Sequence, residues 1–228
     1  RVNRVSFFHE ADRISLLMQG LGFSRREIFD SRPYLPAKDS TNFIWFKNSK
    51  PVVAIAPGSV WGTKRWPAEK FADLTHLILK KLDCNIVFLG AQGEKESVEK
   101  IKSTLDMDEI RLLDLVGSTS LDDLRAIYPK LSAIVSNDSS PIHYASAFNV
   151  PTIAIFGATD SAMGFGPLAE ESSVVEISTL KCRPCSDHGP MTCPLKHFKC
   201  MKDIPAETVF RELESIVFNL NNLACNSK

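Results

Sequence analysis

Two stretches of the chain combine residue types that suit an anionic, phosphate-bearing ligand. The first is residues 131–143, L-S-A-I-V-S-N-D-S-S-P-I-H. Its apolar run through Ile134 and Val135 reads as a strand and stops at Ser136, Asn137 and Asp138. Pro141 then opens a helix, because the N–H that proline lacks would be unpaired at a first helical position anyway. Ser140 is the expected N-cap, with Asp138 and Ser139 just upstream. A strand that runs straight into a helix start offers free backbone N–H groups and a positive dipole end, a ready seat for phosphate. The second stretch is residues 56–67, A-P-G-S-V-W-G-T-K-R-W-P. Here Ser59 and Thr63 offer hydroxyls, Lys64 is a compact point charge, and Gly58 and Gly62 let a ligand approach the backbone. It lacks the G-K-[ST] ending of a Walker A loop. Taken alone, each stretch also reads as ordinary structure. Asp138, Ser139 and Ser140 would serve helix capping, His143 would be a satisfied helix residue, and Trp61 and Trp66 would cap the core.

The flanking elements decide between these readings. From residue 51 onward, apolar strands alternate with helices. Strands are expected at 52–56, 85–89, 111–116, 131–136, 152–156 and 174–177. Helices are expected at 67–81, 94–105, 120–128 and after Pro141. Strands that are apolar throughout imply an α/β fold, a Rossmann-like parallel sheet with helices on both faces. Both stretches follow strands of that sheet, so both fall on its carboxyl edge, where such folds bind ligands. Gly157 to Asp160 follows another strand and shares that edge. Glu94 and Glu96 follow the second strand, placed to accept from a ribose or base.

Composition narrows the class. The chain has 228 residues, 44% apolar and 24% charged, with 27 basic and 27 acidic side chains. A net charge near zero argues against broad nucleic-acid binding. No apolar run is long enough to cross a bilayer, and no secretory signal is visible. Residues 1–30 read as helix broken at Gly20 and Gly22, and Pro33 and Pro36 mark an extended connection to about residue 40. Residues 42–46 read as an edge strand. One helix and a connector cannot make a domain, so this segment is expected to be the tail of something preceding it. Cys84 is expected in the core. Cys182, Cys185, Cys193 and Cys200 form C-x2-C-x7-C-x6-C, with His188 and His197 interspersed. This set has the ligands for a structural zinc, but its later gaps match no common finger, and buried thiols bracing a loop are the favoured reading. A final helix from residue 204 carries the apolar face Val209, Phe210, Leu213, Ile216 and Val217.

Three segments together resemble the ADP-heptose:lipopolysaccharide heptosyltransferases, glycosyltransferase family 9. They are P-G-S-V-W-G-T-K-R-W-P, then S-N-D-S-S-P-I-H against the family's S-N-D-S-G-P-M-H, then C-R-P-C…C-P-L-K-H…C-M-K-D-I. The resemblance spans about residues 52–213. It implies the C-terminal half of a GT-B glycosyltransferase, divided as follows. Residues 1–46 would end an N-terminal acceptor domain and form the linker. Residues 47–203, including the Cys-rich loop 181–202, would bind the donor. Residues 204–228 would be a helix returning toward the N-terminal domain. It further implies inverting, metal-independent transfer of L-glycero-D-manno-heptose from ADP-heptose to the lipopolysaccharide inner core, with no cofactor. The acceptor would be lipid A–Kdo/heptose at the inner face of the bacterial inner membrane. By position, Ser59 and Lys64 would contact the diphosphate and Asp138 the sugar, with Thr63 also among the donor-binding residues. Ser139, Ser140 and the helix start would hold phosphate oxygens with His143 near, and Glu94 and Thr119 would lie near adenosine. The catalytic base would be an Asp of the N-terminal domain, so this chain is expected to bind the donor but transfer poorly alone. Ser140 stands where the family has Gly, and costs about 1 kcal/mol if that backbone needs positive φ. Alternatives are a hexose-using transferase of the same family, a non-catalytic nucleotide-sugar module and a zinc-stabilised interaction domain.

Overall fold

The computed structural model describes residues 9–24, 32–39, 50–105 and 110–226. The expected edge strand at 42–46 lies outside them. Six strands form one sheet: β1 Val52–Ala56, β2 Asn85–Phe88, β3 Leu112–Asp114, β4 Ala133–Asn137, β5 Thr152–Ile155 and β6 Ser172–Val175. Every pairing is parallel and the order is β3-β2-β1-β4-β5-β6. The chain therefore reverses its winding direction between β1 and β4, and the loops leaving those neighbours diverge to open a crevice at the carboxyl edge.

The helices follow from their sequences. Helix α1 (Glu10–Ser15) passes into a 3-10 turn, Leu16–Leu21, within the helix expected over 1–30, of which 1–8 and 25–30 lie outside the described residues. Helices α2 (Ala68–Lys81), α3 (Lys95–Lys102), α4 (Leu121–Ile127) and α5 (Ser140–Phe148) connect successive strands. Ser120 caps α4, its hydroxyl accepting from the Asp123 N–H (3.1 Å) while the Asp123 carboxylate accepts from the Ser120 N–H (2.9 Å), a reciprocal capping box. Asn149 ends α5 in the left-handed region, φ 55°. The short α6 (Lys199–Lys202) falls within the stretch expected to be irregular, and α7 (Ala206–Asn226) follows.

Alternation along the strands sorts the core into two layers. Val53 and Ile55 face Phe71, Leu74 and Ile78 of α2, together with Val209, Phe210 and Leu213 of α7. Val52 and Ala54 face Ile127, Tyr128 and Ala145 beneath α4 and α5. A large apolar side chain removed from water contributes about 1.5–3 kcal/mol, and α7 joins the core of this sheet at least through Val217. Cys84 is buried as expected, and burial pushes its thiol up to about 11.

Strand β6 starts at Ser172 rather than at residue 174. Its register is set by β5, with Ser172 opposite Thr152 and Val175 opposite Ile155, so two serines join an edge strand that apolar patterning begins only at Val174. The described N-terminal segments bond to the loop after β5 and to α4. The Glu10 N–H donates to the Gly164 carbonyl (2.7 Å), the Lys38 N–H donates to the Arg125 carbonyl (3.2 Å), and Arg125 Nε donates to the Pro36 carbonyl (2.9 Å). Among the described residues, no helix is long and apolar enough to cross a membrane.

Candidate functional site

A cavity of about 570 Å³ opens at the carboxyl edge over the β1/β4 switch point. Two loops build its centre. Residues 57–66, after β1, are clamped by Asn137 at the end of β4. Its Oδ1 accepts from the Trp66 N–H (3.0 Å) and its Nδ2 donates to the Pro57 carbonyl (2.7 Å). Arg65 folds back so that Nε donates to the Ser59 carbonyl (2.6 Å). Trp66 is buried edge-on against Phe71, ring centroids 4.8 Å apart, and its Nε1 donates to the Ile204 carbonyl (3.2 Å). It is a core residue, as the plain reading expects, whereas Trp61 lines the cavity.

The clamp brings Lys64 Nζ to 2.7 Å from Asp138 Oδ2, with side-chain exposures of only 12% and 5%. Stripping water from two charges is expensive, and a buried pair survives only with good geometry and further hydrogen bonds. Thr159 supplies one: its hydroxyl donates to Asp138 Oδ2 at 2.6 Å. No buried side-chain nitrogen or oxygen among the described residues lacks a partner.

Ser59, Lys64, Glu94, Thr119, Asp138, Ser139, Ser140 and His143 all line this cavity. Thr63 does not. It is buried and its hydroxyl donates to the Pro190 carbonyl, so the only hydroxyl of the first loop that reaches the cavity is that of Ser59. The N-cap also shifts by one residue. Ser139, extended at φ −160°, is the cap and Ser140 begins α5, with Pro141 second. Ser140 is not among the residues of positive φ, so a β-carbon there carries no left-handed strain. The Ser139 hydroxyl donates to the Gly58 carbonyl (3.2 Å), tying the two loops together.

The two glycines of the first loop serve the protein itself. A β-carbon on Gly58 would overlap the Glu94 carboxylate, and one on Gly62 would overlap the Met191 carbonyl. Glu94 in turn accepts from the Ala91 N–H (2.8 Å). Burial holds His143 below the ordinary histidine value. The positive charges of His9 and Lys64 act the same way, and Asp138 opposes them. The segment 157–160 acts from behind the wall through Thr159, while Asp160 caps a short 3-10 turn by accepting from the Ala162 N–H (2.8 Å).

Among the described residues, no three His, Cys, Asp or Glu side chains are grouped to hold a metal ion. Cys182, Cys185, Cys193 and Cys200 are free thiols near one another. The nearest imidazole atom, His197 Nε2, stands 3.9 Å from Cys182 Sγ.

Sequence reasoning placed Thr159 in the 157–160 turn and Asn137 at the end of its strand without a role for either side chain, and it did not single out Arg183. The Arg183 guanidinium is 4% exposed and pairs with Glu176 (2.8 Å). It also donates to the carbonyls of Gly157, Thr159 (2.7 Å) and Ile177 (2.9 Å). Asn137 sits inside the S-N-D motif and Arg183 inside C-x-x-C, but their partners are chiefly backbone groups of other loops, which no residue pattern marks.

Comparison with known proteins agrees with this geometry. The family model described as glycosyltransferase family 9 (heptosyltransferase) matches residues 11–198. Lipooligosaccharide heptosyltransferase 2 of Campylobacter jejuni is 30% identical over 179 residues, covering 78% of this chain and 54% of that protein. The chain thus spans about half the length of this relative. Two solved structures share the fold. One is a family 9 glycosyl transferase from Veillonella parvula (TM-score 0.77, 20% identity, 96% of this chain and 62% of that one). The other is the ADP-heptose LPS heptosyltransferase II of E. coli (TM-score 0.65, 22% identity, 82% and 54%). With a family model spanning most of its length and a parallel sheet that opens its cavity at the matching loops, this chain belongs to glycosyltransferase family 9, the heptosyltransferases.

Proposed function

We propose that this chain is the donor-binding part of a transferase that moves L-glycero-D-manno-heptose from ADP-heptose to the lipopolysaccharide inner core. The observation that carries this reading is the buried Lys64–Asp138 contact at the switch point, beside the start of α5. When the bond from sugar to diphosphate breaks, negative charge grows on the leaving diphosphate. A fixed ammonium, the positive dipole end of α5 and the hydroxyls of Ser59 and Ser140 line the cavity where that charge would grow, and preorganised charges of this kind lower barriers. In this reading Lys64 is shared between Asp138 and the diphosphate, and Asp138 turns its remaining lone pairs to the sugar. Glu94 and Thr119, on loops after β2 and β3, lie on the adenosine side. These full and partial positive charges support transfer that needs no metal.

The reading extends to the whole protein as follows. Residues 1–46 lead from an acceptor-binding domain, residues 47–203 hold the donor, and 204–228 return toward the acceptor domain. Together they make a GT-B architecture working at the inner face of the inner membrane on a lipid A–Kdo/heptose acceptor. The group that takes the acceptor's proton is not assigned to a residue of this chain.

Titration calorimetry with ADP tests the reading. Lys64→Ala is expected to weaken ADP binding on the order of 100-fold, about 2.7 kcal/mol. Unchanged ADP affinity would overturn it. Titration with UDP- and GDP-sugars separates this donor from a hexose donor.

A further inference from the structure

The cavity continues past the Lys64–Asp138 centre on both sides, and the two flanks differ in chemistry. Toward β2 and β3 the walls are Glu94, Thr119 and the apolar side chains of Leu89, Leu121 and Leu124, a surface suited to a flat base. On the opposite side, toward β5, the walls are Phe165, Asp187 and His188. The last two come from the Cys-rich segment, not from a loop of the sheet.

That segment is fixed at both ends. At one end the buried Arg183 guanidinium holds three carbonyls around β5, and the Cys185 N–H donates to the Ala158 carbonyl (2.7 Å). At the other end the Pro190 carbonyl accepts from the Thr63 N–H (3.3 Å) and from the Thr63 hydroxyl, one residue from Lys64. The next carbonyl, of Met191, packs where Gly62 has no side chain. Residues 186–189 are thereby carried as a short bridge from the β5 loop to the β1 loop. A carboxylate and an imidazole hang from it into the cavity.

We infer that this bridge is the sugar-reading wall of the site, with Asp187 and His188 contacting hydroxyls of the glycosyl group and setting which nucleotide sugar is accepted. The inference rests on the donor-site reading above. With the diphosphate at Lys64 and the base toward β3, the glycosyl group has the β5 side left to it. A carboxylate accepts two hydrogen bonds from neighbouring hydroxyls, and a neutral imidazole donates one and accepts one. That inventory matches a polyhydroxylated ring and its exocyclic hydroxyls. Water can satisfy these rim groups when a sugar hydroxyl is missing, so each contact discriminates by a modest factor rather than by the large one of a buried partner.

The test compares two ligands on three proteins: ADP and ADP-heptose on the wild-type chain, Asp187→Asn and His188→Ala. Both side chains are exposed at the cavity rim, so neither substitution opens the core, and thermal melting checks folding. The expected result is ADP affinity within about twofold of wild type and ADP-heptose affinity lowered about tenfold, which is 1.4 kcal/mol. Equal losses for the two ligands would overturn the inference, because the bridge would then act on the nucleotide. Unchanged ADP-heptose affinity in both variants would overturn it as well. Wild-type chain that binds neither ligand would instead defeat the donor-site reading, an outcome recorded separately by the ADP titration.

Discussion

The loops after β1 and β4 and the Cys-rich bridge reach the same cavity by different means. The two loops are placed by topology: they leave adjacent parallel strands at the point where winding reverses, and one buried amide, Asn137, locks the first to the second. The bridge has no strand to direct it. It is hung from its two ends, by the Arg183 guanidinium gripping backbone carbonyls from within the protein and by the Pro190 carbonyl accepting from Thr63. A centre fixed by sheet geometry tolerates change in many single residues, whereas a bridge hung from a few contacts at its two ends is loosened when either end is cut. The fixed centre suits the feature every nucleoside diphosphate shares, and the separately anchored wall suits the part of the ligand that varies.

The largest test of this contrast is Arg183→Ala. Losing the guanidinium strands the half-buried Glu176 carboxylate and three carbonyls, and removing one partner of a buried pair costs about 3–5 kcal/mol. Urea denaturation should show that loss, and a cost below about 1 kcal/mol would mean the bridge is held by something else. Next is Thr159→Val, which keeps the shape and deletes the donor to Asp138. A stability loss of about 1–2 kcal/mol is expected, recovered largely by Thr159→Ser.

Ser140→Gly ranks third. Ser140 begins α5 without positive φ, so Gly gains nothing from its backbone freedom and should destabilise by about 0.5 kcal/mol. A clear stabilisation would show that the turn is strained. The smallest effect concerns pH. His143 is held below its ordinary value by burial, so on acidification the unfolded chain takes up that proton first. Stability attributable to this residue should therefore fall as pH drops below about 6.5 and level off below the folded-state value. His143→Gln should flatten that part of the melting profile.

Much of the sheet was legible because period and burial agree. Residues 52–56, 85–88, 133–137 and 152–155 are apolar on both faces and bounded by turn residues, and each is a parallel strand. The meeting of Lys64 and Asp138 was legible for the same reason, since two loops after strands of one sheet share an edge. What stayed hidden depends on tertiary contact. Thr63 looked like a donor beside Lys64 but turns to Pro190, which is remote in sequence. Gly58 and Gly62 looked like room for a ligand, yet Glu94 and Met191 fill that room. His188 stood out only as a candidate metal ligand among the cysteines and Asp187 gave no local signal, as their position at the cavity follows from the anchoring of Arg183 and Pro190 on two different loops.

The Asn137 clamp has a mechanical corollary. One buried amide grips the first loop near both of its termini, and Gly58, Thr63 and Lys64 are held between those points by Ser139, Pro190 and Asp138. Ser59 and Lys64 therefore stand on one short arch sprung from a single footing, and a change at Asn137 shifts both together.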